Sequence, residues 1–139
     1  MIIDATNLIV GRMGTFVAKK ALLGEEISIL NCDRAVITGE KARILADYKR
    51  KKERGSPLVG PFFPRQADRF VKRTIRGMLP YKQPKGRAAF DRIKCYIGVP
   101  SDFQNKKLES ISQADVSKVL NAKHLSVKDV CKFLGGKSE

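Results

Sequence analysis

Apolar positions recur along this chain with two different periods. "EISILN" (residues 26–31), "AVIT" (35–38) and "IKCYIGV" (93–99) are short, β-branched or nearly continuous apolar runs, the pattern of buried strands. Around them the period lengthens to that of a helix. "GRMGTFVAKKALLG" (11–24) places Met13, Val17 and Ala21 at i, i+4 and i+8 with Phe16 beside them, and predicts a helix that stops at Gly24. A second helix is expected after Thr38 and Gly39, through "KARILADYKRKKER" (41–54), with Ile44, Leu45 and Tyr48 as its apolar stripe. A third is expected in "QADRFVKRTIRGML" (66–79), where Ala67, Val71, Ile75 and Met78 share one face. Towards the C-terminus, Ser112 with Asp115 and Ser126 with Asp129 both have capping-box spacing, the second opening "VKDVCKFL" (127–134) ahead of Gly135. Strands alternating with helices predict an α/β fold, a parallel or mixed sheet covered by helices on both faces. With no internal repeat and no dividing linker, the 139 residues are expected to form one domain.

Charge changes this picture from a scaffold to a scaffold with one special face. The chain carries 28 Lys and Arg against 14 Asp and Glu, a formal charge of +14 that favours polyanionic partners. The excess is local. Residues 41–94 hold 17 basic and 4 acidic residues, a charge of +13, whereas the remainder, with 11 basic and 10 acidic, is nearly balanced at +1. Within the third predicted helix, Arg69, Lys72, Arg73 and Arg76 stand at i, i+3, i+4 and i+7, so they form a ridge opposite the apolar face. An ordinary solvated face would interleave acids for i, i+4 pairing, but none occurs between Asp68 and Asp91. The last turns of the second helix add Lys49, Arg50, Lys51 and Lys52.

"RGSPLVGPFFPR" (54–65) and "LPYKQPKGR" (79–87) hold five of the six prolines, and are expected to be neither regular helix nor central strand. Arg54, Arg65, Lys82, Lys85 and Arg87 decorate these loops. Phe62, Phe63 and Tyr81 either stack on unpaired bases or anchor the loops to the core, anchoring being favoured for the two phenylalanines. Cations that repel one another when free and fit around a folded phosphate backbone when bound point to structured RNA as the neutraliser.

Other chemistries find little support. Cys32, Cys95 and Cys131 are far apart in sequence, without a CxxC pair, and read as reduced, mostly buried thiols. His124 is the only histidine and reads as structural, leaving little for a catalytic triad. "GRMG" (11–14) opens a helix, where backbone N–H groups can hold phosphate, but it lacks the third glycine of a dinucleotide fingerprint, and close packing explains its small residues as well. "GGKS" (135–138) resembles the end of a phosphate loop, yet Cys131 stands where that motif needs glycine and no helix can follow. Asp4, Asp33, Asp47 and Asp68 share no spacing that would make a metal or acid/base site, so solvated or capping roles are expected. No apolar run approaches a membrane span, and the N-terminus lacks a basic n-region. A soluble, cytoplasmic protein without cofactor, metal or small-molecule substrate is expected.

The same residues carry a resemblance. "IRGMLPYKQPKGRAAFDRIKCYIGVP" (75–100) resembles the signature of ribosomal protein thirteen of the large subunit, a universal family, in its archaeal and eukaryotic form. "LIVGRMGTFVAKKALLGEEISILNCDRAVITG" (8–39) is similar to the family's N-terminal Gly-Arg unit, and "KFLGGK" (132–137) to its archaeal C-terminal element, so the likeness spans essentially the whole chain. Where the family usually has Leu-Ala-Ser after Gly-Arg, this chain has Met13, Gly14 and Thr15, a change expected to loosen the helix start. The resemblance implies a three-layer α/β/α domain on a small, mainly parallel four-stranded sheet. It implies a structural, early-assembling, non-catalytic component bound to large-subunit (23S-type) rRNA and to neighbouring large-subunit proteins. By motif position Arg76, Lys82, Lys85 and Arg87 contact RNA while Gly77, Pro80 and Gly86 shape the loop, and Arg12 of the Gly-Arg element joins the RNA-binding set. Two other readings stay open: a free RNA chaperone or translational regulator using the same surface, and a small nucleotide- or nucleic-acid-modifying enzyme exploiting residues 11–14.

Overall fold

The computed structural model describes residues 1–120 and 123–137. The apolar runs form strands, in two groups. β1 (Ile2–Asp4), β2 (Ile27–Leu30) and β4 (Ile93–Cys95) make a parallel sheet in the order β1-β2-β4, with Ile2 opposite Ser28 and Ile27 opposite Ile93. The central strand has Ile27, Ile29 and Leu30 fully buried, which explains its continuous apolar sequence. β3 (Val36–Thr38) leaves this sheet and pairs antiparallel with β5 (His124–Ser126), a strand not foreseen from the sequence. The expected single four-stranded sheet is therefore a group of three and a group of two. The cause is the turn after β2: Asn31 adopts the left-handed region (φ 55°) and a 3-10 turn follows over Cys32–Arg34, redirecting the chain before β3. β4 is also shorter than its apolar run, because the chain turns at Gly98 (φ +70°), although Tyr96 N–H still donates to Ile29 O (2.8 Å).

The helices follow the periodicity. α1 (Val10–Leu22) buries Met13, Val17 and Ala21 completely and is continuous through Gly14. α2 (Lys41–Glu53) buries Ile44 and packs Leu45 and Tyr48 partly against the core. α3 (Ala67–Arg76) buries Ala67, Phe70, Val71 and Ile75; Phe70, only 1% exposed, is the large core residue that the stripe 67/71/75/78 omitted. α1 packs on α3, and α3 in turn contacts β4 and α5 (Val127–Phe133). The α5 capping box forms: Ser126 Oγ accepts from Asp129 N–H (3.2 Å) and donates to its carboxylate (2.9 Å). The Ser112 box does not, because residues 112–118 form two 3-10 turns. There Asp115 accepts from Ser117 N–H (2.9 Å) as the cap of the second.

Asp4 lies where the parallel strands β1 and β2 end, a common place for an α/β active site. Here its Oδ1 is committed locally, accepting from Thr6 N–H (3.0 Å), Thr6 Oγ1 (2.7 Å) and Asn31 Nδ2 (3.0 Å). Burial pushes this carboxyl up, but the bonds from Asn31 and Thr6, with Arg34 nearby, outweigh it and hold it below its ordinary 3.8. The cysteines are free thiols. Burial and the Asp68 carboxylate push Cys131 up to about 11, and contact with Cys95 together with burial raises Cys32, so both stay protonated at neutral pH. The depressed Asp4 value sets a direction for acid stability. Its contribution is complete above pH 3.8 and is lost as pH falls through the lower folded value. Urea midpoints measured from neutral pH into that acid window should fall less for Asp4→Asn than for the wild type; equal falls would show that Asp4 braces nothing.

Candidate nucleic-acid interface

α3 divides the molecule's apolar and cationic sides along one helix. Asp68 in its first turn and Arg73 and Arg76 in its last suit the helix dipole. Opposite the buried stripe, Arg69 is exposed, while Lys72, Arg73 and Arg76 are half-buried because each lies over or against aromatic surface. Lys72 Nζ sits 4.7 Å from the ring centre of Phe90, the Arg73 guanidinium 4.9 Å from Phe63, and the Arg76 guanidinium 4.9 Å from Tyr81. Arg73 also donates to Phe62 O (2.7 Å). Each such pair is worth about 0.5–1 kcal/mol at an exposed site and, unlike an ion pair, leaves the positive charge uncancelled. Among the described residues only two salt bridges form, Lys20–Glu25 (3.2 Å) and Asp47–Arg50 (3.6 Å).

Phe63 ties this ridge to α2. Its ring packs 5.9 Å from Tyr48 and 5.9 Å from Phe70, which are themselves 5.1 Å apart, so α2, the 54–65 loop and α3 share one aromatic contact. Lys51 lies over Tyr48 (4.7 Å). Of the other α2 cations, Lys49 is exposed, Arg50 pairs with Asp47, and Lys52 donates to Leu134 O at the end of α5 (2.8 Å). Lys52 thus stabilises an unsatisfied helix-terminal carbonyl. Arg54 and Arg65 are exposed on the irregular 54–65 loop, where Phe62 is 69% exposed, in contrast to the packed Phe63. Arg12, on the opening turn of α1, is directed towards Gln113 O (3.4 Å) rather than towards α3. The two alternatives for the phenylalanines therefore separate: Phe63 anchors, Phe62 does not.

The 79–87 segment corrects its sequence reading. It is not irregular throughout, because α4 (Pro84–Asp91) begins inside it. Pro84 occupies the first helical position, where its missing N–H has no partner to lose and its fixed φ already suits a helix. Lys85 and Arg87 are exposed on the first turn of this helix, and Lys82 on the turn before it. Arg87 Nε donates to Tyr81 O (3.3 Å), closing that turn. Gly86 lies buried against the Pro80 carbonyl, so closely that an added Cβ would collide with backbone. Gly77 differs: its φ is −63° and a Cβ there would meet only Thr74 O at 3.5 Å. Gly14 faces the Met78 thioether closely, so the small residue in "GRMG" packs against the segment that follows α3.

The fold also gathers cations that the sequence kept apart. A groove of about 430 Å³ between the start of α3 and the end of α5 is lined by Arg65, Lys128, Lys132 and Lys137, with Asp33 on the same wall. The near-neutral C-terminal third thus adds to the basic side, because α5 packs on α3. No group of three or more His, Cys, Asp or Glu among the described residues could hold a metal ion. No helix among them is long and apolar enough to cross a membrane.

The fold and the site together define a small, basic α/β protein that presents an unneutralised cationic helix with basic turns beside it. Comparison with known proteins supplies the family. The family model described as Ribosomal protein L13 matches residues 1–102, and the chain belongs to that family. It is 44% identical over 137 residues to large ribosomal subunit protein uL13 of Methanosarcina barkeri, and that alignment covers 98% of each chain. It is 43% identical over 136 residues to the uL13 protein of Methanococcoides burtonii and 40% identical over 140 residues to that of Methanocaldococcus jannaschii, again over 98% of each chain. The family is one of structural large-subunit proteins, and it is not enzymatic.

The two glycines of the 77–86 turn should respond oppositely to alanine. Gly86→Ala forces backbone apart and should lower unfolding free energy by about 1–3 kcal/mol or more in chemical denaturation. Gly77→Ala, placed where alanine fits, should leave it unchanged or raise it by about 0.4–1 kcal/mol.

Proposed function

We propose that this protein is a structural constituent of the large ribosomal subunit that binds large-subunit rRNA of the 23S type through the α3 ridge and its flanking basic turns and supports early subunit assembly. The observation that carries this reading is the ridge itself: Arg69, Lys72, Arg73 and Arg76 aligned on one helix face, the last three held by aromatic rings, with no acid between Asp68 and Asp91. Phosphates are the natural partner for such a row, since each neutralised phosphate releases a condensed counterion. On this reading residues 1–139 act as one domain with residues 41–94 as its RNA-binding region. Arg12, Lys49, Lys51, Arg54, Arg65, Lys82, Lys85 and Arg87 bind further phosphates, and Arg50 and Lys52 contribute positive potential while engaged within the protein. Neighbouring large-subunit proteins are the remaining partners, and the cytoplasmic ribosome is the location. A free RNA chaperone or translational regulator would use the same surface; sedimentation of a lysate at moderate salt separates the two, because the ribosomal constituent travels with intact large subunits.

Replacing Arg69, Arg73 and Arg76 by Gln should change stability little, since Gln is a good helix former and the buried face is untouched. Binding to large-subunit rRNA should weaken. The slope of log K against log salt should become shallower by about 2 to 3 units, at about 0.7–0.9 for each phosphate that is no longer neutralised. Ile75→Asp, which places a charge at a fully buried site, should instead unfold the protein. An unchanged salt slope in the triple variant would remove the ridge from the interface.

A further inference from the structure

Two grooves meet at Phe62. One, of about 580 Å³, runs along α3 and is lined by Arg65, Arg69, Lys72, Arg73 and Arg76 with aromatic walls from Phe62 and Phe90. The other, of about 510 Å³, lies on the side of the α2 end and holds Lys52, Arg54 and Arg65, with Glu53 beside them. Phe62 is shared by both, and it is 69% exposed. Its backbone is tied to the ridge, and its ring stands beside Gly60. Its carbonyl accepts from Arg73 (2.7 Å), and its ring lies so close to Gly60 (φ +91°) that a Cβ there would meet it at 3.2 Å. The other aromatic residues of the ridge, Phe63, Tyr81 and Phe90, each lie under a cation.

The geometry points to a nucleotide subsite in which an unpaired RNA base stacks on Phe62 and its flanking phosphates lie on Arg69, Arg73 and Arg76. This deepens the rRNA-binding reading and rests on it. An apolar protein segment fits the groove poorly, because covering Phe62 would strip water from five cations while the larger groove offers no acid to pair them. A nucleotide supplies both needs, a π-face for the ring and phosphate for the cations. A paired base cannot present its face in this way, so the subsite selects nucleotides extruded from a helix or lying in a single-stranded loop.

The chain contains no tryptophan, so Phe62→Trp introduces a single indole reporter. Titrated at low salt with octa-adenylate, the indole emission should be quenched at least about twofold, whereas a blunt RNA duplex of equal length should leave it unchanged. Phe62→Leu, which keeps an apolar side chain but removes the π-face, should weaken octa-adenylate binding about tenfold without changing the salt slope or the melting temperature. Emission that ignores the single strand, equal quenching by the duplex, or wild-type affinity in Phe62→Leu would each overturn the subsite. Failure of this inference is separable from failure of the rRNA reading. Wild-type protein that binds large-subunit rRNA while the indole stays silent overturns only the base subsite; wild-type protein that does not bind that rRNA overturns both.

Discussion

Like-charge repulsion on one face, uncompensated within the chain, is the constraint around which this structure is arranged. On α3 the four cations make four pairs at i, i+3 or i, i+4, each of them unfavourable by about 0.2–0.5 kcal/mol, or about 1–2 kcal/mol in all. The same helix buries Phe70, Val71 and Ile75, each contributing about 1.5–3 kcal/mol. Burial wins by a clear margin, so the helix forms with its ridge intact. Without that buried stripe, a ten-residue segment this cationic would have little reason to be helical in water.

The rings determine how the repulsion is borne. Carboxylates would hold the cations equally well but would cancel the field that a polyanion needs. Phe63, Phe90 and Tyr81 position Arg73, Lys72 and Arg76 without cancelling it, and Phe63 transmits that order to α2 through Tyr48. The tight turn under Gly86 then brings α4, and with it Phe90, back to the ridge. Packing and charge placement are therefore linked here: Phe63 and Phe90, partly buried against the core, also hold Arg73 and Lys72 on its outer side.

Much of this was legible in the sequence, because α1, α2 and α3 carry long 3.6-period stripes and β2 a continuous apolar run. The cationic ridge followed from the same spacing. What escaped depended on short or tertiary features. α4 was hidden because Pro84 and Gly86 read as breakers, although proline at the first helical position and glycine at a close backbone approach are both compatible with helix. β5 is three residues long, and its pairing with β3 follows from the left-handed turn at Asn31, which no local pattern announced. Phe62 and Phe63 are identical in sequence terms. Only the fold shows that one closes an aromatic cluster while the other stands exposed between two basic grooves. Lys128, Lys132 and Lys137 were missed as part of the basic side because their proximity to Arg65 arises from α5 packing on α3.

If uncompensated repulsion is the governing constraint, the free protein should be limited by its own charge. Thermal unfolding of the isolated chain across increasing sodium chloride tests this directly, since the Debye length shrinks from about 30 Å at about 0.01 M to about 3 Å at about 1 M. The melting temperature should climb steeply over the lower part of that range and then level, with the rise reduced when Arg69, Arg73 and Arg76 are replaced by Gln. A melting temperature that is flat or falls as salt is raised would contradict that constraint, and would mean that the cations are balanced within the fold.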